Sequence, residues 1–255
     1  MEDDVLPPPA QKLVDGVPDI PLDSPRDRRT CVIEDFWKEG RRYIGLRVAV
    51  DESYREAYRV PGQYVTLSPE HLDPRFLVIA NAPGPVSATE WEFLVDRQTN
   101  LGGSIEPLSP GSTLAISAPE GPGWPLDEAA GRPVVCFVTG SGIASIRPLL
   151  QHWKHHVDLA PSQTTLYYGE SRARDFAYTD ETAEWNNHGV RTFHCNGATG
   201  ETEEDFQYVQ HAFEADVPEL DDAFVLLAGA PVMKRAVLER LLDQNFPIDR
   251  VFTNI

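Results

Sequence analysis

Basic residues and cysteines are both scarce in this sequence. Its 255 residues include 22 Lys or Arg but 40 Asp or Glu, so the formal net charge is −18. A chain this acidic is a poor candidate for binding DNA, RNA or an anionic membrane, because those ligands are recognised by basic surfaces. The three cysteines, Cys31, Cys136 and Cys195, are too dispersed for a metal-ligand cluster and too few for a disulfide framework.

Long apolar runs are missing as well. None approaches the roughly 18 residues that span a membrane, and the acidic start Met1–Asp4 is unlike a basic secretory signal. Hydrophobic residues still make up 41% of the chain, which is enough for a sizeable core. These features predict a soluble, cytoplasmic, globular protein with no membrane span.

The chain divides into three parts by its hydrophobic pattern. Residues 1–28 hold six prolines, which block helices and central strands and predict an extended N-terminal arm. Residues 29–129 contain short strands rich in β-branched and aromatic residues, which favours a barrel or a sandwich. In residues 130–255 apolar strands alternate with helices, which predicts a parallel sheet of the nucleotide-binding type.

The same pattern predicts the individual elements. Strands are expected at 31–33, 43–50, 63–67, 76–80, 91–95 and 113–117 in the first domain, and at 134–138, 164–168, 190–194, 224–228 and 250–252 in the second. Helices are expected in the second domain at 146–156, 179–187, 204–214 and 231–244.

Three turns follow strands of the second domain at the carboxyl edge, where parallel sheets bind their ligands. In the first turn, Gly140, Ser141 and Gly142 lead into a helix whose free N–H groups suit a pyrophosphate. A tight turn that needs glycine for geometry alone is the alternative. The second turn contains Arg172 and Arg174, which are either a phosphate clamp or two solvated arginines. The third turn runs from 228 to 233.

These turns resemble the pyridine-nucleotide domain of the ferredoxin–NADP reductase superfamily. That family has Gly-(Thr/Ser)-Gly-Ile-Ala-Pro after its first apolar strand, and residues 140–144 match it, with Ser145 in place of Pro. Residues 166–178 are similar to its Tyr-Gly-x-Arg…Asp-(apolar)-x-Tyr pattern, and residues 226–233 to its Cys-Gly-Pro-x-x-Met turn. The resemblance implies an antiparallel Greek-key β-barrel of the flavin-binding type at 29–129, followed by an NAD(P)-binding α/β domain at 130–255.

The resemblance also implies which residues bind the nicotinamide dinucleotide. They are Thr139, Gly140, Ser141, Gly142, Ile143, Ser171, Arg172, Arg174, Gly229, Ala230, Pro231 and Met233. Ser171 and the two arginines favour NADP, since arginine suits a 2′-phosphate. Glu170 keeps NAD open, because an acidic residue can accept a hydrogen bond from the ribose 2′-hydroxyl.

The first domain resembles the FAD-binding part of the same family more loosely. Residues 61–65 match its Pro-Gly-Gln-(aromatic)-Val strand, but its Arg-x-Tyr-(Ser/Thr) motif reads Arg75-Phe76-Leu77-Val78 here. Leu77 can cover a flavin ring, but neither it nor Val78 offers a hydroxyl. The remaining residues implied in FAD binding are Ile79, Ala80 and Asn81, which continue the strand, and Gly102, Gly103 and Ser104, an approximate counterpart of a pyrophosphate-binding turn.

The function implied is that of a flavin-dependent oxidoreductase. It would transfer hydride between NAD(P)H and FAD and pass the electrons to a separate acceptor. No catalytic side chain is expected, because the two cofactors carry the chemistry. No metal is expected either: His152 and His156 are spaced to share one, but a solvated helix face is the preferred interpretation.

The acceptor is expected to be a small molecule or a non-acidic protein, because the net charge of −18 repels acidic partners. A local basic patch of Arg41, Arg42, Arg47, Arg55 and Arg59 would weaken that expectation. Two alternatives share the same fold. One is a non-catalytic nucleotide-binding or sensing protein, suggested by Leu77, Val78 and by Ala228 in place of the family's Cys. The other is an accessory electron-transfer subunit of a larger complex.

Overall fold

The computed structural model describes residues 27–70, 72–84, 89–197, 208–216, 218 and 220–254. The arm expected at 1–28 lies outside these residues, apart from Asp27 and Arg28, and Arg28 already begins the first strand.

An antiparallel sheet of six strands forms the first domain. The strands are β1 (Arg28–Glu39), β2 (Tyr43–Ala49), β3 (Tyr64–Ser68), β4 (Arg75–Val78), β5 (Glu90–Asp96) and β6 (Thr113–Ser117), with the short helices α1 (Glu52–Ala57) and α2 (Asn100–Ile105). Their order is β4-β3-β6-β1-β2-β5, so a late strand lies between two early ones, as in a Greek key.

This sheet closes into a barrel, which removes the exposed edges of β4 and β5. Just after β4, the N–H of Ala80 donates to the carbonyl of Glu92 on β5 at 2.8 Å. Asn81 braces the same edge: its Oδ1 accepts from the N–H of Glu92 at 2.8 Å and its Nδ2 donates to the carbonyl of Glu90 at 3.1 Å. Inside, apolar side chains such as Leu46 and Phe93 fill the core.

A parallel sheet of five strands forms the second domain. Its strands are β7 (Pro133–Thr139), β8 (Gln163–Glu170), β9 (Val190–Asn196), β10 (Phe224–Ala228) and β11 (Val251–Thr253), in the order β11-β10-β7-β8-β9. The helices after the first domain are α3 (Leu126–Ala129), α4 (Ile143–His155), α5 (Thr179–Asn187), α6 (Val209–Asp216) and α7 (Pro231–Asp243). Buried apolar clusters lie on both faces of this sheet.

The structure confirms the predicted fold class and most of the predicted elements. The helix at Thr179–Asn187 and the strand at Phe224–Ala228 have the bounds that the sequence predicts. The helix expected at 204–214 is found at Val209–Asp216, and the first part of the expected span lies outside the described residues. Strand β1 is much longer than expected, because its second half exposes polar side chains that give no apolar signal.

Among the features that hold the domains together, the first is a shared cluster of buried apolar side chains. Tyr43, Ala80 and Leu94 of the barrel belong to the same buried cluster as Val138 and Ile143 of the second domain. The hydrophobic core therefore continues across the junction.

The second feature is a buried ionic cluster around Arg147 on α4, whose side chain is 11% exposed. Its guanidinium donates to Glu92 Oε2 at 2.6 Å and to the carbonyl of Ala80 at 2.9 Å, both in the barrel. It also donates to Glu181 Oε1 on α5 at 2.7 Å and lies over the ring of Tyr178. One side chain thus joins both domains and two helices.

Replacing Arg147 with Ala should destabilise the protein strongly, because Glu92 and Glu181 would lose a partner in a place that water barely reaches. Breaking such a buried pair typically costs about 3–5 kcal/mol. The matched control is Arg240→Ala, since Arg240 pairs with Glu214 and both side chains are exposed, by 45% and 44%, and exposed pairs contribute about 0–1 kcal/mol. Urea unfolding curves of the three proteins measure both effects. Equal shifts in the two variants would contradict the role given to Arg147.

Candidate dinucleotide-binding cleft

A cleft with a volume of about 1120 Å³ runs between the two domains along the carboxyl edge of the parallel sheet. The barrel contributes one wall, formed by Arg42, Phe76, Leu77, Val78 and Leu94. The turns after β10, β7, β8 and β9 and the first turns of α4, α6 and α7 form the other wall. Open α/β sheets bind ligands at this edge.

The turn after β7 offers backbone rather than side chains to the cleft. Gly140 has a φ of +61°, and a Cβ at this position would have Tyr43 Oη at 3.5 Å as its nearest neighbour. The space beside Gly140 is therefore open. Gly142 serves close packing instead, since a Cβ there would lie 2.6 Å from the carbonyl of Ala228. Gly140–Gly142 form a 3-10 turn that continues into helix α4, and the N–H of Ile143 donates to the carbonyl of Gly140. The start of this helical segment is therefore the glycine turn itself, which has no side-chain cap and can present its N–H groups to an anion.

A second helix begins in the same wall. Helix α7 starts at Pro231 and also has no side-chain cap. The hydroxyl of Thr139 accepts a hydrogen bond at 2.9 Å from the N–H of Ala230, so the turns after β7 and β10 are joined. Two uncapped helix N-termini therefore lie along one cleft and give it positive potential without basic side chains.

The end of β8 holds a buried carboxylate, Glu170, whose side chain is 0% exposed. It accepts hydrogen bonds from the Tyr43 hydroxyl, from Tyr168 Oη at 3.3 Å and from Arg42 Nη1 at 3.3 Å. Burial raises the pKa of Glu170, although Tyr43 and Arg42 act in the opposite direction. The carboxylate oxygens of Glu170 are bonded to barrel residues at the domain junction, so they are not free to accept a hydrogen bond from a ribose 2′-hydroxyl. Such a bond was the reason for keeping NAD open in the sequence analysis.

More than half of the residues predicted from sequence lie together on the cleft. These are Leu77, Val78, Thr139, Gly140, Ser141, Gly142, Ser171, Gly229, Ala230, Pro231 and Met233. They come from both domains, as the resemblance implies.

The other predicted residues do not line the cleft. Ile79, Ala80 and Ile143 are buried in the core, and Asn81 is engaged at the barrel edge. Arg75 is partly buried and donates to the carbonyl of Pro74 at 3.0 Å. Arg172 and Arg174 are exposed beside the cleft rather than in its wall. A role of these residues in cofactor binding stays a prediction.

The turn predicted to hold the FAD pyrophosphate is part of helix α2. Thr99 caps this helix, since its Oγ1 accepts from the N–H of Gly102 at 3.1 Å. A Cβ on Gly102 would lie 2.2 Å from the carbonyl of Asp96, so this glycine allows the helix to pack against β5. The hydroxyl of Ser104 donates to the carbonyl of Asn100 at 3.0 Å, and Gly103 faces open space. Helix capping and packing therefore account for Thr99, Gly102 and Ser104 without a ligand. Phosphate binding at this turn also stays a prediction.

Several cleft residues were missed from sequence. Tyr208 follows the carboxyl end of β9, where the rule used for the other strands would have found it. Arg42 and Leu94 come from the other domain and give no local signal. Lys234 is 2% exposed, and its Nζ donates to the carbonyl of Asn254 at 2.6 Å. Asn254 in turn donates through Nδ2 to the carbonyl of Gly62 in the barrel at 2.9 Å.

Neither a metal site nor a membrane-spanning helix is found in the described part of the chain. The rings of His152 and His156 stack with centroids 4.3 Å apart. Within residues 27–254, leaving out the undescribed gaps, no three or more His, Cys, Asp or Glu side chains form a group that could hold a metal ion. Among the same residues, no helix is long and apolar enough to cross a membrane.

The sequence is similar to those of known reductase components. Residues 137–239 match the family described as oxidoreductase NAD-binding domain. The reductase component of propane 2-monooxygenase from Mycolicibacterium goodii is 30% identical over 227 residues, which is 83% of this chain and 63% of the relative. The corresponding component from Rhodococcus jostii is 28% identical over 249 residues, which is 91% of this chain and 64% of the relative. The chain thus spans less than two thirds of the length of both relatives.

Solved structures show the same fold. The FAD/NAD-binding domain of a nitric oxide dioxygenase from Vibrio cholerae superposes with a TM-score of 0.75 at 18% identity, over 90% of this chain and 98% of that one. A ferredoxin–NADP⁺ reductase from Neisseria gonorrhoeae, with bound FAD and NADP, gives a TM-score of 0.75 at 15% identity, over 89% and 98%. The fold expected from the resemblance is confirmed: the chain has the two-domain fold of these solved structures, and residues 137–239 match the oxidoreductase NAD-binding domain family.

The raised pKa of Glu170 predicts a pH-dependent effect of Glu170→Gln on stability. A raised pKa means that the folded protein holds this proton more tightly than the unfolded chain, whose ordinary value is 4.5. The stabilisation is complete below that value and is lost as the pH rises through the raised pKa. Wild type should therefore lose stability relative to the variant as the pH rises from 4.5 through the raised pKa.

Thermal unfolding midpoints across this pH range measure the effect. The control is Glu184→Gln: Lys154 lowers the pKa of Glu184, so the trend has the opposite sign, and it is small because the pair is exposed. A difference between wild type and Glu170→Gln that stays constant with pH would contradict a raised pKa.

Proposed function

We propose that the chain is a flavin-dependent oxidoreductase that takes hydride from NAD(P)H and passes the electrons to a separate acceptor. The observation that carries the proposal is the composition of the cleft. Two uncapped helix N-termini lie on one wall and a flat apolar strand surface lies on the other. This combination suits a ligand with phosphates at its centre and an aromatic ring at one end.

The nicotinamide dinucleotide would bind along the carboxyl edge of the parallel sheet. Gly140, Ser141 and Gly142 would place backbone N–H groups against its pyrophosphate, because the space beside Gly140 is open. The exposed Ser171, Arg172 and Arg174 support NADP over NAD. The engagement of Glu170 in the domain junction points the same way.

The barrel wall suits a flavin ring but supplies no hydroxyl to its edge. Phe76 and Val78 lie on one face of β4 and line the cleft, whereas the side chain of Leu77 packs against the barrel core. The ring would be held by packing on the first two and by main-chain hydrogen bonds. When bound, FAD supplies the acceptor for a hydride from the nicotinamide. The task of the two walls is to hold the reacting atoms roughly 3–3.5 Å apart and to keep water out.

The relatives support a separate electron acceptor, since two of them are named reductase components of a monooxygenase. Two of the five barrel arginines that could form a basic patch are engaged by carboxylates. Arg42 is paired with Asp96 and Glu170, and Arg47 lies among three carboxylates. With a net charge of −18, the chain would best receive a small molecule or a non-acidic protein as acceptor. The proposal of a cytoplasmic location is supported by the three cysteines, which are free and buried rather than paired in disulfides.

Spectroscopy of the purified protein tests the proposal. It should be yellow, or become yellow with added FAD, with absorbance near 450 nm. Anaerobic NADPH should then bleach that band faster than NADH does. A colourless protein that takes up no FAD would contradict the proposal of a flavoenzyme. If that protein still bound NADP⁺, the second candidate function, a nucleotide sensor on the same fold, would be favoured. The observation behind this alternative is that Leu77 and Val78 line the cleft without a hydroxyl for the flavin.

Ser141→Asp should weaken NADP⁺ binding by roughly tenfold or more, because it puts a negative charge beside the expected pyrophosphate. The side chain is exposed at a helix start, where a carboxylate does not disturb folding. Ser162→Asp is the matched control, because Ser162 is exposed at the amino end of β8, away from the cleft. Calorimetric titration with NADP⁺ measures both. Unchanged binding in Ser141→Asp would place the pyrophosphate elsewhere.

A further inference from the structure

Three exposed arginines lie on two turns that touch where the barrel contacts the second domain. Arg41 lies in the turn between β1 and β2, and Arg172 and Arg174 follow β8. The N–H of Arg41 donates to the carbonyl of Arg174 at 2.9 Å, so the two turns are in direct contact. The exposed Ser171, next in the chain to Arg172, lines the cleft.

Close packing keeps the two turns together. A Cβ on Gly40 would lie 2.6 Å from the carbonyl of Phe176, so only glycine allows this approach. One residue further on, Arg42 is fixed by Asp96 and by the buried Glu170 at the end of β8. Arg41 is therefore held beside the Arg172–Arg174 turn by contacts on both sides of it in the chain.

The arginines of this group differ from most others in the protein. Arg29, Arg97, Arg132, Arg191, Arg240 and Arg250 are each paired with a carboxylate. Arg41, Arg172 and Arg174 make no ion pair with any residue in the described ranges. In a chain with a net charge of −18, three unpaired arginines at one place are a local exception.

The acidic side chains near this group are either hydrogen-bonded to other groups or buried. Glu39 accepts from Trp37 Nε1 at 3.0 Å and from the N–H of Tyr178 at 2.6 Å. Glu170 is enclosed within the junction, and Asp175 is buried. The surface that the three arginines share is therefore positive, and it adjoins the end of the cleft at Ser171.

We infer that Arg41, a residue of the barrel domain, is a specificity-determining residue for the 2′-phosphate of NADPH and acts with Arg172 and Arg174. The inference rests on the proposed function for the orientation of the dinucleotide. A guanidinium binds phosphate oxygens with charge-assisted hydrogen bonds, and a third one from the opposite domain adds affinity only when the 2′-phosphate is present. A bound 2′-phosphate would also tie the two domains together.

Binding of adenosine fragments tests the role of Arg41 without flavin or turnover. At low ionic strength, Arg41→Gln should bind 2′,5′-ADP roughly tenfold more weakly than wild type, the lower end of what one charge-assisted hydrogen bond contributes. Its affinity for 5′-AMP should stay within about twofold, because that ligand lacks the 2′-phosphate. Arg59→Gln is the matched control: Arg59 is exposed in the same domain and has no ion pair in the described ranges. It should bind both ligands like wild type.

Three results would overturn the inference. If the wild-type protein binds 2′,5′-ADP and 5′-AMP with equal affinity, it has no site for the 2′-phosphate. An Arg41→Gln variant with unchanged 2′,5′-ADP affinity shows that Arg41 takes no part in it. Equal weakening of both fragments shows a general structural effect. If Arg41→Gln slowed only the reduction of a protein acceptor, the group would be a docking surface for an acidic partner instead.

Failure of the inference can be told apart from failure of the proposed function. Flavin that is reduced equally well by NADH and NADPH leaves the oxidoreductase intact and removes the 2′-phosphate site. Fragment binding with the expected discrimination, in a protein that takes up no flavin, keeps the site and removes the oxidoreductase.

Discussion

Two buried ionic contacts, Arg42 with Glu170 and Arg147 with Glu92, cross from the barrel to the parallel sheet, and the cleft depends on both. Neither domain contains the cleft alone, since each supplies one wall. Ionised groups are costly to bury and worth keeping only when every partner is in place. These contacts therefore favour one relative position of the domains and disfavour others, while the shared apolar core around Tyr43 and Leu94 adds the burial of apolar surface between them.

The second-domain wall of the cleft is shaped by backbone contacts at least as much as by side chains. The turns after β7 and β10 are joined by the Thr139 hydroxyl, and Gly142 lets them approach to within contact distance. This closeness aligns the starts of α4 and α7 along one edge. An anion site built from helix termini needs no basic residue in its wall. The high content of acidic residues in the chain is therefore compatible with binding a dinucleotide.

The parts of this molecule that could be predicted from sequence are those encoded locally. The alternation of apolar strands and helices predicted the helix at 179–187 and the strand at 224–228 with correct bounds. The strand is a continuous apolar run that is buried throughout, and the helix is anchored by the buried Trp185. The rule that ligands bind at the carboxyl ends of parallel strands predicted Gly140 and Ser171 at the cleft. Contacts between distant parts of the chain could not be predicted in this way. Nothing near Glu170 in sequence indicates that Tyr43 and Arg42, about 127 residues earlier, would enclose it.

The same distinction explains why motif glycines needed the structure for their interpretation. Gly140 and Gly102 both stand in sequence where a phosphate-binding turn is expected. The space beside Gly140 is open to the cleft, whereas the space beside Gly102 is filled by the carbonyl of Asp96. A glycine that is required for packing and one that is required for a ligand look alike in a sequence, because both reflect only the absence of a Cβ. What distinguishes them is the identity of the neighbour, which is set by tertiary packing. Gly140 has a further reason to be glycine, because its φ of +61° is strained for any other residue, so this turn is accounted for by backbone geometry with or without a ligand.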